Sequence, residues 1–437
     1  MREMKDSGVE WIGAIPADWS ISRIKYVAEF DPVCNKSEIN GSSLITYTPM
    51  DCIKHGWFIN NSAPLESLST SLTTYQEGDI VMAKVTPCFE NGNIAIMEGL
   101  HNGFGMGCSE LFVFRPKSID TKFFFYWLQN NAFVQKAKAT MTGTGGLKRV
   151  SPVFTRNCPI HIPPYKDQNR IALCLDGKLA QVNILIANVQ AQIEKLKAYK
   201  QSLITEVVTK GLDPTVPMKD SGIEWIGTIP EHWGTAKLQY CARIRSGITL
   251  GKKYPKGTEM IERPYLRVAN VQSGGVILDN LKTVEVSAED DLQYRLSAGE
   301  VLMTEGGDRD KLGRGCVWQG QIDPCLHQNH IFALQTNELL DPQFLAYMTA
   351  SDVGRVYFDI TAIKTTNLAC TNSSKVLAFR FPLPKMPEQL ELVAYLDKKC
   401  AQIDRLIAIK QEKIEKLEQY KRSLIYEYVT GKKEVTA

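Results

Sequence analysis

Apolar side chains return at alternating steps of four and three residues along one stretch of the chain: Leu175, Leu179, Val182, Ile186, Val189, Ile193, Leu196, Leu203 and Val207, with Lys200 in the one polar slot. This spacing holds a stripe on one helix face and predicts a long helix with a coiled-coil seam. The register returns 221 residues later (Ile193 to Ile414) at Leu396, Cys400, Ile403, Ile407, Ile414, Leu417, Leu424 and Tyr428, with Lys410 and Lys421 as polar members. An isolated stripe would stay exposed to water, so each helix needs a partner. The twin in the same chain is the nearest, which predicts an antiparallel intramolecular pair. About 37 residues rising 1.5 Å each make a rod of roughly 55 Å. The alternative is a coiled coil that only dimerises the protein.

Outside the helices the period shortens. "GDIVMAK" (Gly78 to Lys84) and "GEVLMTE" (Gly299 to Glu305) are short strand-like runs after turn signals, and "SELFVFRP" and "NHIFALQ" read as later strands. A helix follows each, with Asp120 and Asp341 as N-caps and Pro342 in the first helical position. The aromatic run Phe123 to Leu128 reads as the buried face of that helix in preference to a base-stacking platform.

The chain also repeats itself. "MKDSGVEWIGAIPADW" (Met4 to Trp19) returns as "MKDSGIEWIGTIPEHW" (Met218 to Trp233), an offset of 214 against the 221 of the helices. The 221 offset already holds between Gly78 and Gly299, so the seven extra residues lie upstream of that point. Each half is therefore a shared opening motif, a divergent block and a shared helix. Shared parts frame, and divergent parts discriminate. Trp11, Trp19, Trp225 and Trp233 either pack equivalent small cores or anchor two equivalent partners.

Composition narrows the class. The 437 residues are 44% hydrophobic and 23% charged, as in an ordinary globular protein of two or three domains. With no apolar leader and no long uninterrupted apolar run, a cytoplasmic protein away from membranes is expected. The 11 cysteines are scattered without a C-x-x-C pair and read as reduced thiols. Net charge is only +3, but its distribution is uneven. No acid occurs from Thr121 to Lys166, where Lys122, Lys136, Lys138, Lys148, Arg149, Arg156 and Lys166 lie; none occurs from Ile360 to Pro387, which holds Lys364, Lys375, Arg380 and Lys385. Arg243 to Arg267 is a further basic stretch. A basic strip recurring at one place in both halves predicts a surface on each block that meets a polyanion; the plainer reading is a solvated face.

Gly-rich polar loops flank these strips: "TGTGGLKR" (Thr142 to Arg149) and "EGGDRDKLGRG" (Glu305 to Gly315). Neither fits a phosphate-binding P-loop. "LHQNH" (Leu326 to His330) is rich in groups that bond base edges, since Asn and Gln read adenine while Arg and Lys read guanine; no spacing supports its histidines as metal ligands. "IPPY" (Ile162 to Tyr165) has Ile where the N-P-P-[YFW] motif of amino-methyltransferases has Asn, and no glycine-rich cofactor motif accompanies it. It reads as a Pro-rich lead-in to the helix. The chain thus reads as one that binds and positions.

Together, the duplicated "DSGVEWIG" and "DSGIEWIG" motifs, "GDIVMAKVTPCFENG", "TEGGDRDKLGRG", "CLHQNH" and the helices led by "PPYKDQ" and "PKMPEQ" resemble the DNA specificity subunit of type I restriction-modification systems over essentially the whole chain. Asp167 stands where the second half has Glu388, which changes nothing in the expectation. The resemblance implies an α+β chain: two target recognition domains of mixed strands and helices, separated by two long spacer helices in an antiparallel coiled coil, with pseudo-two-fold symmetry. Its expected boundaries are 1–162, 163–212, 213–383 and 384–437, the first and third being recognition domains. It implies a non-catalytic subunit that recognises a bipartite site in double-stranded DNA and directs two methyltransferase subunits and motor-nuclease subunits. Cofactors would belong to those partners: S-adenosylmethionine, and ATP with Mg for restriction. Lys84, Thr86, Asn91, Thr144, Lys148 and Arg149 are the DNA-binding candidates of the first block; Arg267, Arg309, Lys311, Arg314, Gln328, Asn329 and Lys364 are those of the second. A methyltransferase with a degenerate motif and a protein-only scaffold remain the alternatives.

Overall fold

The computed structural model describes residues 2–34, 39–144, 146–272, 274–307, 312–313, 315–364 and 369–435, with Gly307 and Lys364 described by backbone alone. It divides into two compact units, Met1–Val189 with Glu412–Ala437, and Gln190–Gln411. Each unit holds one opening motif, one divergent block and a piece of both long helices.

The opening motifs form matching antiparallel hairpins. Met4–Asp6 pairs with Ala14–Pro16, and Met218–Asp220 with Thr228–Pro230. Both turns use glycines in the left-handed region, Gly8 and Gly13 at φ 68° and 69° and Gly222 and Gly227 at 69° and 73°, where a Cβ would be strained. Trp19 and Trp233 are each 1% exposed, and half-buried Trp11 and Trp225 pack against the same cores. All four indoles are packing residues of their own units.

Each block is built on a four-stranded antiparallel sheet of the same order. In the first it runs Ala28–Phe30, Leu111–Pro116, Ile80–Ala83, Ile94–Ile96. In the second it runs Ala242–Ser246, Ile331–Thr336, Val301–Thr304, Gly315–Val317. The strands that the sequence marks are thus the inner pair of each sheet, buried on both faces and so nearly continuous in apolar residues. A second sheet in each block contains a parallel pair, Leu44–Thr48 with Phe104–Gly107 and Met260–Leu266 with Leu326–His327.

The helices Thr121–Leu128 and Pro342–Ala350 follow, capped by Asp120 and Asp341, whose Oδ1 atoms each accept from the third residue on at 2.8 Å. All six residues of the aromatic run are buried. Each cap is tied to the following long helix: Gln168 Oε1 accepts from Asp120 N at 2.7 Å, and Gln389 Oε1 from Asp341 N at 2.9 Å. Tyr126 donates to Asp176 at 2.5 Å and Tyr347 to Asp397 at 2.6 Å. Every one of these pairs differs by 221, so the frame repeats down to its side-chain hydrogen bonds.

The long helices are Tyr165–Lys210 and Met386–Val429. In the second unit Lys200 Nζ meets both carboxylate oxygens of Asp404 at 2.7 Å, and Lys410 Nζ meets Gln192 Oε1 at 2.6 Å. One number of the pair falls as the other rises, so the helices run antiparallel. Leu203, Ile204 and Val207 share that unit's core with Leu392, Leu396 and Cys400. In the first unit Leu175, Leu179 and Val182 share a core with Leu424, Ile425 and Tyr428. One 18-residue window of the first long helix reaches a mean hydropathy of 1.2, long and apolar enough by composition to cross a membrane; its seam residues are those that pack in these cores.

Candidate nucleic-acid interface

In the first block the strand Ile80–Ala83 leads directly into Lys84, Val85 and Thr86, and these receive the loop from Thr142 to Arg149. Thr86 N donates to Lys148 O at 2.9 Å, Thr86 Oγ1 accepts from Lys148 N at 2.9 Å, and it donates to Gly146 O at 2.8 Å. Val150 N donates to Lys84 O at 2.9 Å. Residues 142 and 149 close the loop through paired main-chain bonds of 3.1 and 2.8 Å. Gly143 sits at φ 144°, and a Cβ there would lie 2.2 Å from Leu147 O, so the loop requires glycine at this close approach. Thr86 is therefore the clip that presents the loop. Thr144 and Lys148 stand exposed at its tip, with no side-chain partner for Lys148 among the described residues. Lys84 Nζ lies 5.6 Å from the Phe112 ring centroid, and Asn91 is exposed on the adjoining turn.

Arg149, a DNA-binding candidate of the sequence, is ion-paired within the block. Its Nε and Nη2 donate to the two oxygens of Glu110 at 2.8 and 2.7 Å, and that hydrogen bonding holds the Glu110 carboxyl below its ordinary range. The acid-free strip behaves likewise. Lys122 meets Asp176 at 2.7 Å and Lys138 meets Glu90 at 3.0 Å, so acids from elsewhere in the chain neutralise part of it. Lys136, Lys148 and Lys166 remain exposed.

The second block repeats the construction. Gly306–Gly307 pairs with Ala369–Cys370, which pairs with Ile363–Lys364, through Gly306 opposite Cys370 and Ile363 opposite Cys370. In the first block the bridges are Val85 to Arg149 and Thr142 to Arg149. Adding 221 to each of these numbers gives the second set. Candidates chosen from unlike sequences, the 142–149 loop and Lys364, thus occupy one structural position in both blocks. Arg309, Lys311 and Arg314 lie outside the described residues.

Beside this ladder, Glu305 N donates to His330 O at 2.9 Å, Glu305 O accepts from Thr371 N at 2.8 Å, and the Glu305 carboxylate meets His330 Nδ1 at 2.6 Å. Gln328 N donates to Leu266 O and Asn329 N to Ile248 O, both at 2.9 Å. Main-chain bonds thus fix the two carboxamide residues, which are half-exposed, next to Arg267. Arg267 Nη2 reaches Asn280 O at 3.4 Å while its Nε is buried without a partner among the described residues. Three of the other cations of residues 243–267 serve the block itself: Arg245 meets Glu300 at 2.6 Å, Lys252 meets Asp290 at 2.7 Å and Arg263 meets Asp291 at 3.0 Å.

His327 is fully buried and neither ring nitrogen has a hydrogen-bond partner among the described residues; burial pushes its pKa down to about 3. It sits under Gly247, where a Cβ would lie 2.1 Å from His327 O. The "IPPY" segment is structural: Pro163 O accepts from Gln168 Nε2 at 2.9 Å, which fixes the start of the first long helix. Residues that sequence reasoning missed are the acids Glu90, Glu110 and Glu305, each of which engages a side chain 25 to 48 residues away.

Residues 16–195 match the family model of the type I restriction modification DNA specificity domain. The type I restriction enzyme EcoAI specificity subunit of Escherichia coli is 30% identical over 227 residues, 51% of this chain and 37% of that protein. The EcoEI specificity subunit, also from Escherichia coli, is 29% identical over 45% of this chain, so the chain spans about a third of the length of these two relatives (33% here). The MjaVIII specificity subunit of Methanocaldococcus jannaschii is 28% identical over 73% of this chain and 71% of that protein. A chain from a solved structure concerned with complex assembly and conformational transition of the type I R-M system superposes with a TM-score of 0.70 at 17% identity, covering 95% of this chain and 98% of that one. It shares the fold.

Proposed function

We propose that this chain belongs to the type I restriction-modification DNA specificity family, whose model its residues 16–195 match, and is the non-catalytic subunit that reads a bipartite site in double-stranded DNA for its partner subunits. The observation that carries the reading is the ladder at residues 85, 142 and 149 and its equivalent at 306, 363 and 370. Each block builds this ladder at the same place from unlike sequences. That is what two readers of different half-sites need: one backbone platform, with direct readout by variable side chains. Lys148, Thr144, Lys84 and Asn91 serve the first half-site, with Thr86 holding the loop. Gln328, Asn329, Arg267, Lys364 and the loop of Arg309, Lys311 and Arg314 serve the second. Arg149 reaches DNA only by leaving Glu110.

Residues 1–162 and 213–383 are the target recognition domains in this reading, and the helices between them set the spacing of the half-sites. Two equivalent methyltransferase subunits dock on the repeated frame. Tyr26 and Tyr240 are exposed on the opening segments, 214 apart, and Tyr199 and Tyr420 on the helices, 221 apart, as two copies of one partner would require. S-adenosylmethionine and ATP chemistry belong to the partners.

Selection of random duplexes by the purified chain, followed by anisotropy titrations over a range of salt, tests the reading. Enrichment of one split sequence with salt-dependent affinity is expected. Failure to enrich any sequence, or methyl transfer by the chain alone, contradicts it.

A further inference from the structure

The two units differ where block meets long helix, and the difference opens a cleft in one of them. In the second unit this junction is closed. Gln201 Nε2 donates to Ala350 O at 2.8 Å, Leu312 is buried at 3% exposure, and the Phe358 ring presses on Gly313, where a Cβ would lie 2.2 Å from it. The counterparts differ: Arg422 stands 221 after Gln201, Asn91 and Ala137 stand 221 before Leu312 and Phe358, and it is the smaller His55 ring that lies against Gly92, with Nδ1 2.6 Å from where a Cβ would be. Gly92 and Gly313 share φ 72°, which fixes the correspondence. Arg422 and Asn91 are exposed. The outcome in the first unit is a cleft of about 370 Å³.

Its walls are apolar, from Met82, Phe89, Ile94, Leu128, Val134 and Ile425. Its charged lining residues are Glu90, Glu418, Lys421 and Arg422. Lys421 is 8% exposed and has one acid near it, Glu418 at 3.5 Å, whereas its counterpart Lys200 is held by Asp404 at 2.7 Å. Asn183 stands where the repeat has that aspartate. The wall acid Glu90 is taken by Lys138. Lys421 and Arg422 therefore leave positive charge over an apolar floor, beside the carboxamides of Asn91 and Asn93. Concave apolar walls with a few convergent polar groups are the usual form of a small-molecule site.

We propose that this cleft binds a small anion with an apolar ring body, of the mononucleotide class, with Lys421 and Arg422 on the anionic group and Asn91 and Asn93 on the ring edge. The carboxamides suit a purine edge, and the two cations suit a phosphate. Asn91 would serve this site and the first half-site alike; among the described residues the second junction carries buried Leu312 in its place.

Calorimetric titration of the full chain with adenosine monophosphate, adenosine and inorganic phosphate tests this. One molecule of adenosine monophosphate per chain is expected, with adenosine and phosphate each weaker by about tenfold or more. Arg422→Gln, which installs the residue of the closed junction at an exposed position, and Lys421→Met should each weaken the nucleotide by about tenfold and leave adenosine little changed. Val134→Phe should fill the cleft and abolish binding. Thermal unfolding of each variant confirms its fold, and Arg422→Gln keeps the test decisive if Lys421→Met does not fold. No binding of the nucleotide, equal binding of phosphate and nucleotide, or unchanged binding in folded Arg422→Gln and Val134→Phe overturns the proposal.

Discussion

The Nε2 atom of His161 lies 2.5 Å from the main-chain oxygen of Val429, 268 residues further along the chain. Its ring stacks on Trp19 with centroids 5.7 Å apart, and Trp127 Nε1 lies 3.2 Å from the same nitrogen. The opening motif, the end of the first block and the end of the second long helix therefore share one core. Deleting residues 412–437 removes Leu424, Ile425, Tyr428 and Val429 from it. At roughly 1.5–3 kcal/mol for each large side chain, the loss rivals the whole stability of a domain. Limited proteolysis should show the first unit degraded and the second, residues 190–411, still protected; equal protection of both would contradict this packing.

Burial pushes the pKa of His161 down to about 4 and that of His327 to about 3, against roughly 6.5 in an unfolded chain. Both are neutral in both states above that unfolded value. Below it the unfolded chain binds the proton and the folded chain does not, so stability falls as pH drops towards the folded pKa. About 2 kcal/mol per histidine is expected to be lost between pH 7 and 5. Thermal melts across this range should show both units weakening, with His161→Phe flattening the slope for the first unit and His327→Leu for the second. Melts independent of pH would show that these imidazoles are not held neutral.

Glu388 accepts from Trp233 Nε1 at 2.9 Å. In the first unit the shorter Asp167 lies 3.5 Å from Arg2, and buried Trp19 Nε1 has no hydrogen-bond partner among the described residues. Asp167→Glu should supply one and stabilise the first unit by about 1 kcal/mol, while Glu388→Asp should cost the second unit about 1–3 kcal/mol. Calorimetric unfolding of the two variants checks both signs. Opposite signs would mean that the longer acid does not reach the indole.

That pair shows where sequence reading stops. The Asp167 to Glu388 difference reads as inconsequential, yet one methylene decides whether a buried N–H is satisfied. The heptads, the Asp120 and Asp341 caps and the inner strands are legible because their signals are local, carried by spacing within a few residues. The equivalence of Thr142 and Ile363 is legible only as an offset, since their loops share no sequence. The Glu110 partner of Arg149, the Thr86 clip on Lys148 and the closure of Val429 on His161 are set by tertiary approach over 39, 62 and 268 residues, and no local pattern marks them.

The helices should act as a ruler. Four residues inserted after Ala191 and four after Glu412 lie close to the boundaries between the two units and lengthen each helix by roughly 6 Å. That is about one or two base pairs at 3.4 Å each. Sequencing of modified sites should return both half-sequences unchanged with a longer non-specific spacer, and lower activity because added twist rotates one half-site against the other. An unaltered spacer at full activity would remove the helices from the role of setting distance.

The central claim is that each block reads its own half of one split site. Its most direct test maps methylated adenines in DNA from cells that carry this chain and its partner subunits, for the native chain and for Lys148→Ala and Gln328→Ala. The account predicts one motif of two defined halves around non-specific bases, with Lys148→Ala weakening or relaxing only one half and Gln328→Ala only the other, at about 1–3 kcal/mol for each lost base contact. A contiguous motif, or relaxation of both halves by either substitution, would contradict it.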